Sequence, residues 1–331
     1  MKGRKRAAAL GVLSLLLLAL PAQAMAAEQL VPMGCAVGIE LSTGGVMVAG
    51  VSQVQTADGP VSPAEAAGLK TGDVITAVNG RATPDAQAFL SALTSLSGAP
   101  AELTVRRDDR EMLLRIMPAQ SEDGRWQLGL WLREGVSGIG TVTYFDPETG
   151  QFGALGHGIN DLESGSLLPF EGGTITGASV VDVVKGAPGS PGELCGQPDR
   201  EQVLGELQKN TGCGIFGTAG FGSAGEPVPI AAPQEVHLGP ASILATVYGG
   251  GVEEYSVEIS RIYRQPEEHR FLMLTVTDPA LIARTGGIVQ GMSGSPILQD
   301  GKLVGAVTHV LLSDATRGYG IGIQDMLQAA A

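Results

Sequence analysis

Aromatic side chains are scarce in this 331-residue chain: seven Phe, five Tyr and two Trp make up 4% of it. Its cores must rest on aliphatic groups, and the 44% hydrophobic content supplies them while excluding wholesale disorder. Basic residues are few as well, 21 Lys and Arg against 34 Asp and Glu, for a formal charge of −13. Lys2, Arg4, Lys5 and Arg6 fall in the first six positions, and no later segment gathers such residues into a stripe. A nucleic-acid surface is excluded on that ground. The three cysteines, Cys35, Cys195 and Cys213, lack neighbouring ligand histidines, so a zinc site is not expected. Whether Cys195 and Cys213 pair or stay as separate thiols is open at this stage. No collagen period or long heptad run occurs, which excludes a fibrous protein.

Glycine is abundant instead, at 49 positions beside 19 prolines, a composition suited to short strands and tight turns rather than a helical bundle. At roughly 150 residues per domain the length suggests two domains. The basic start is followed by fourteen apolar or small residues, 7–20, then Pro21 and small-residue sites at Ala22-Gln23-Ala24 and Ala24-Met25-Ala26. This pattern reads as an export signal. Fourteen residues reach about 21 Å as a helix, short of a roughly 30 Å hydrocarbon core. Continuation through Met25-Ala26-Ala27 leaves a retained anchor open, so residues 1–26 are assigned as a signal peptide or membrane anchor.

Residues 30–120 read as a small domain. Two strand-like pieces, 36–41 and 45–49, flank a Thr43-Gly44-Gly45 turn and suggest an antiparallel start. A short helix is expected at 62–69, with Ser62 as its cap and Pro63 in its first turn. The strand 74–78 stops at the Asn79-Gly80 turn, a second helix covers about 84–96, and strands at 102–106 and 112–117 flank Asp108-Asp109. The run Ser62-Pro63-Ala64-Glu65-Ala66-Ala67-Gly68-Leu69-Lys70-Thr71-Gly72-Asp73-Val74-Ile75 and its continuation to Gly80 resemble a PDZ domain. That resemblance implies a groove for peptide or protein C-termini, with Val37-Gly38-Ile39 matching the loop that receives the carboxylate.

Residues 121–331 hold many short apolar runs between glycines and no repeated crossover helices, which argues for an all-β barrel or sandwich. Within them, Gln290-Gly291-Met292-Ser293-Gly294-Ser295 places a serine on an open, glycine-flanked turn. Ser293 is the candidate nucleophile, and the amides of Gly291 and Ser293 are candidates for an oxyanion hole. Of four histidines, His157 stands between two glycines after an apolar strand and is the favoured base. His309, in the strand region following the serine, is kept as a supporting or pocket residue; His237 and His269 lie in ordinary polar settings. For the carboxylate that orients the base, Asp161, Asp182 and Asp278 are nearly equal on chemistry, and Asp278 beside Pro279 equally suits a cap or turn.

The pieces Gly153-Ala154-Leu155-Gly156-His157-Gly158-Ile159, Thr285 to Pro296, Gly305-Ala306-Val307-Thr308-His309-Val310 and Gly318-Tyr319-Gly320-Ile321 resemble the SpoIVB peptidases, sporulation stage IV B proteins. The order of leader, PDZ domain and peptidase domain also resembles that family. The resemblance implies a mainly β chain, a small PDZ domain followed by a chymotrypsin-like double β-barrel serine peptidase domain at 121–331. It implies a triad of His157, Asp278 and Ser293, with no cofactor. It further implies export to the space between the two forespore membranes, self-cleavage, and cutting of a regulatory membrane protein to release an intramembrane protease in the sigma-K checkpoint. Two other readings remain at this stage: a non-catalytic PDZ-containing envelope scaffold, and a general envelope quality-control protease.

Overall fold

The computed structural model describes residues 29–107, 110–161, 165–222, 225–263 and 269–331. The leader assigned to 1–26 and the Asp108-Asp109 turn lie outside these. Three β units account for most of the described chain, each built on aliphatic side chains as the composition requires.

The first unit is a ring. The strands Gln151–Ala154, Gly214–Ala219, Glu193–Thr211, Gly172–Val184, Ala36–Ser42 and Val136–Phe145 pair in that order, and Gln151–Ala154 pairs back onto Val136–Phe145. Its core holds Val37, Ile39, Val142, Phe152, Ile175 and Ile215. The second unit is a closed six-stranded barrel of Gly239–Ala245, Glu253–Ile262, Leu272–Val276, Asp314–Gly322, Lys302–Leu311 and Pro296–Gln299. Alternation gives its strands an inner and an outer face: along Glu253–Ile262, Tyr255, Val257 and Ile259 are buried while Glu254, Ser256 and Glu258 are exposed. An aliphatic side chain such as Val257 or Ile259 contributes roughly 1.5–3 kcal/mol when fully buried.

The third unit is the PDZ sheet, ordered Leu130–Arg133, Val46–Val51, Val74–Val78, Ala101–Arg107 and Arg110–Ile116. The helix Ala86–Ser95 covers it, burying Phe89 and Leu93, and Asp85 caps that helix by accepting the Ala88 N–H at 2.7 Å. The shorter helix Pro63–Ala66 starts on its proline as expected, but Ser62 makes no side-chain cap bond. Asp73 closes the turn that the sequence marks at 70–73: it accepts the Lys70 N–H and the Nε and Nη2 groups of Arg107.

Two expectations for this region need correction. The pieces on either side of Thr43-Gly44-Gly45 do not form a hairpin: Ala36–Ser42 joins the ring, and Val46–Val51 joins the PDZ sheet. Val37, Gly38 and Ile39 are therefore not a carboxylate-binding loop. They sit in the middle of a sheet, with Gly172–Val184 on one side and Val136–Phe145 on the other, and Val37 is fully buried. Both edges of that strand are paired, so it has no edge to offer a peptide. The place beside Val46–Val51 is taken by Leu130–Arg133, beyond the boundary drawn at residue 120.

The cysteines are unbridged: Cys35, Cys195 and Cys213 are all free thiols. Burial pushes the Cys35 thiol up to about 11, so it stays protonated and unreactive. No helix among the described residues is long and apolar enough to cross a membrane.

Candidate active site

The loop carrying Ser293 is set by backbone bonds rather than by side-chain bulk. Gly291 and Gly294 both adopt left-handed conformations, at φ +93° and +98°. At Gly294 a side chain would have no room, since a Cβ would lie 2.0 Å from the Thr141 carbonyl oxygen. The Gly294 N–H donates to Val307, and the Val307 N–H donates back to Ser295. Thr141, in the strand Val136–Phe145, ties the loop from the opposite side. Its N–H donates to the Ser293 carbonyl at 3.1 Å and its Oγ1 to the Gly291 carbonyl at 2.7 Å.

With those two carbonyls turned toward Thr141, the N–H groups of Gly291 and Ser293 have no acceptor among the described residues. A pair of unbonded amides flanking a serine is the arrangement that holds a developing oxyanion. The Ser293 hydroxyl itself donates to the Thr308 carbonyl at 2.6 Å.

His157 comes from the ring. Leu155 and Gly156, both left-handed at φ +70° and +69°, turn the chain sharply after Gln151–Ala154. For Leu155 that conformation costs roughly 1–2 kcal/mol. A Cβ on Gly156 would lie 3.0 Å from the Thr308 and Ile321 side chains, so this loop lies directly against the barrel strands Lys302–Leu311 and Asp314–Gly322. His157 Nδ1 is 2.9 Å from the Gly158 carbonyl. A carbonyl only accepts, so that contact places the proton on Nδ1 and leaves Nε2 free to receive one. Burial holds the imidazole below its usual value, opposed by the bond to Gly158. The ring is therefore neutral near pH 7, as a general base requires.

His157, Ser293 and His309 line one cleft of about 1750 Å³ at the junction of ring and barrel. The two imidazoles of His157 and His309 stand 5.0 Å apart, centroid to centroid. His237 bonds the Asp300 carboxylate at 2.8 Å, but this exposed pair is not on the cleft. His269 is exposed and also off the cleft.

The triad carboxylate is where the geometry departs from the resemblance. Asp278 caps the helix Pro279–Thr285, accepting from the Ala280 and Leu281 N–H groups at 2.9 and 3.0 Å; its other oxygen accepts from Ser256 at 3.4 Å. It is not on the cleft and makes no bond to His157. An aspartate before a proline at a strand end is a strong helix start, and here that use wins. Asp161 pairs with Arg133, and Asp182 receives its own neighbour, the Val183 N–H. None of the three carboxylates bonds the base.

Three supporting residues carried no signal in the sequence. Thr141 and Thr308 are ordinary strand threonines until the sheets bring them to the serine loop. Asn210 is buried and grips the base loop through both of its amide atoms: Oδ1 accepts from Ile159, and Nδ2 donates to Ile159 and Leu168. Among the described residues, no group of three or more His, Cys, Asp or Glu is placed to hold a metal ion.

A model of the SpoIVB peptidase S55 family matches residues 124–327, more than half of the chain. The chain belongs to the SpoIVB peptidase S55 family. It is thus a serine endopeptidase, and its cleft holds a serine, a histidine and two open amides. A PDZ-domain model matches residues 57–107 of this S55 peptidase, a module that binds peptide C-termini in general. Among solved structures, the PDZ domain of the SdrC-like protein of Listeria monocytogenes is similar at 26% identity and a TM-score of 0.22. That likeness covers 27% of this chain and 86% of that one. The active form of the Rv3671c protease of M. tuberculosis is similar at 15% identity and a TM-score of 0.33, covering 60% of this chain and 75% of that one. Its inactive form is similar at 12% identity and a TM-score of 0.33, covering 59% and 82%. Among curated proteins no match was found.

Proposed function

We propose that this S55 peptidase works from the junction of a double β-barrel of the chymotrypsin kind, with Ser293 as nucleophile and His157 as base. The observation that carries the reading is one cleft holding both side chains beside two unbonded amides. Ser293 Oγ turns from the Thr308 carbonyl to the free Nε2 of His157, which takes its proton as Oγ attacks a peptide carbonyl. The Gly291 and Ser293 amides receive the oxyanion. His157 then protonates the leaving amine, and water repeats the sequence to release the acyl group. In this cycle the Gly158 carbonyl, rather than a carboxylate, fixes the imidazole tautomer.

For the biological role, the family supports a sporulation enzyme, exported to the space between the two forespore membranes. There it cuts itself and then a regulatory membrane protein, starting the sigma-K checkpoint. The test is intact-mass analysis of purified residues 27–331 over time beside Ser293→Ala, with a fluorophosphonate label on both. Defined fragments and a single added label in the native chain alone support the reading. A folded native chain that neither fragments nor takes the label removes Ser293 from its role.

A further inference from the structure

Residues 130–141 form a strap that touches the PDZ domain, the base loop and the nucleophile loop in turn. Leu130–Arg133 is the outer strand of the PDZ sheet, paired with Val46–Val51 and with no strand on its other side among the described residues. Glu134 accepts the N–H of Ala86, the first residue of the PDZ helix. From Val136 the strap enters the ring against Ala36–Ser42, and at Thr141 it holds the serine loop.

One side chain leaves this strap for the base loop. Arg133 donates through Nη2 to the Asp161 carboxylate, four residues beyond His157, and the Asp161 side chain is 7% exposed. Arg133 Nε is buried with no partner while the side chain as a whole is 32% exposed, so the guanidinium straddles the surface with its Nη2 on Asp161. An arginine placed in that way is held by geometry as much as by charge. Asn210 grips the same loop from within the ring, whereas Arg133 grips it from an edge that a ligand strand can reach.

We propose that Arg133 is a positioning residue for His157, a latch through which the edge of the PDZ sheet sets the base loop. The proposal rests on the serine-peptidase reading of the cleft. A peptide C-terminus that adds to Leu130–Arg133 bears on the residue that holds Asp161, so PDZ occupancy and placement of the base become one event. A shift of about 1 Å in a catalytic group costs on the order of 100-fold in rate.

The test uses the full chain and the rate at which a fluorophosphonate labels Ser293, which needs the base but no peptide substrate. Arg133→Ala is expected to label roughly 10- to 100-fold more slowly. The charge-swapped pair Arg133→Asp with Asp161→Arg is expected to recover most of that rate. Arg133→Lys, which keeps the charge but not the planar fork, is expected to fall between wild type and alanine and guards against an alanine variant that fails to fold. Thermal melting on the same samples gives the folded fraction. A folded Arg133→Ala chain that labels at the wild-type rate overturns the latch, as does a folded swapped pair that stays as slow as alanine. Failure of the wild type to label is a different result: it removes the peptidase reading itself.

Discussion

The two loops that meet in the cleft are built in opposite ways. The nucleophile loop is fixed by main chain: two left-handed glycines, a reciprocal pair of bonds with the barrel strand, and two carbonyls held by one threonine. The base loop adds to its main-chain bonds two side chains that come from elsewhere, Asn210 from the ring and Arg133 from the PDZ edge. Outside their barrel the oxyanion amides draw on Thr141 and on the main chain of Gly192 and Leu194, which bonds Gln290, whereas the imidazole also depends on distant side chains. In such a pair the nucleophile side is rigid and the base side is the one open to adjustment.

The comparison is broken most severely at Gly294. Gly294→Ala adds a Cβ where the Thr141 carbonyl stands, at a φ that disfavours it, so the loop must open. We expect fluorophosphonate labelling to fall roughly 100- to 1000-fold, the effect of losing an oxyanion donor, with the far-ultraviolet circular dichroism spectrum retained. A wild-type rate would mean that the serine loop is not under the constraint described.

A smaller effect sharpens the base side. Burial favours the neutral imidazole and holds the His157 pKa below the usual value of about 6.5. The base is active when unprotonated, so the labelling rate should rise from the acid side with its half-point below about pH 6.5 and stay level through neutrality. A half-point above that value would show a carboxylate supporting the imidazolium after all.

The smallest effect is expected at Asp278, which belongs to neither loop. Asp278→Ala should lower stability by about 1 kcal/mol through loss of the cap, and Asp278→Ser should restore it. In both, labelling should stay within a few-fold of wild type. A fall of about 10⁴-fold in both variants would give Asp278 the triad role that the resemblance implies.

What could be read in advance follows the same division. Glycine-flanked Ser293 and His157 stand out because left-handed turns need glycine, and that need is written locally. The PDZ helices and the Asp73 turn are legible for the same reason, being held by bonds three or four residues long. Ala36–Ser42 was legible as a strand, but alternation does not say which sheet a strand will join. The cap and triad readings of Asp278 use the same residue type before the same proline, and only the folded chain separates them. Arg133, Thr141 and Asn210 act across 28, 150 and 51 residues of separation, so no spacing announces them.

The position of Ala36–Ser42 also bears on how the protein is made. This strand precedes the PDZ domain in the chain yet needs Val136–Phe145 and Gly172–Val184 as neighbours. The PDZ domain is thus an insertion between the first and second parts of a discontinuous catalytic unit. During synthesis the opening strand must wait, unpaired, while some ninety residues emerge and the inserted module folds ahead of it. Removing the inserted module by simple truncation would carry that strand away, so a working peptidase without its PDZ domain would have to be made by joining residue 42 to the strap, not by starting at residue 121.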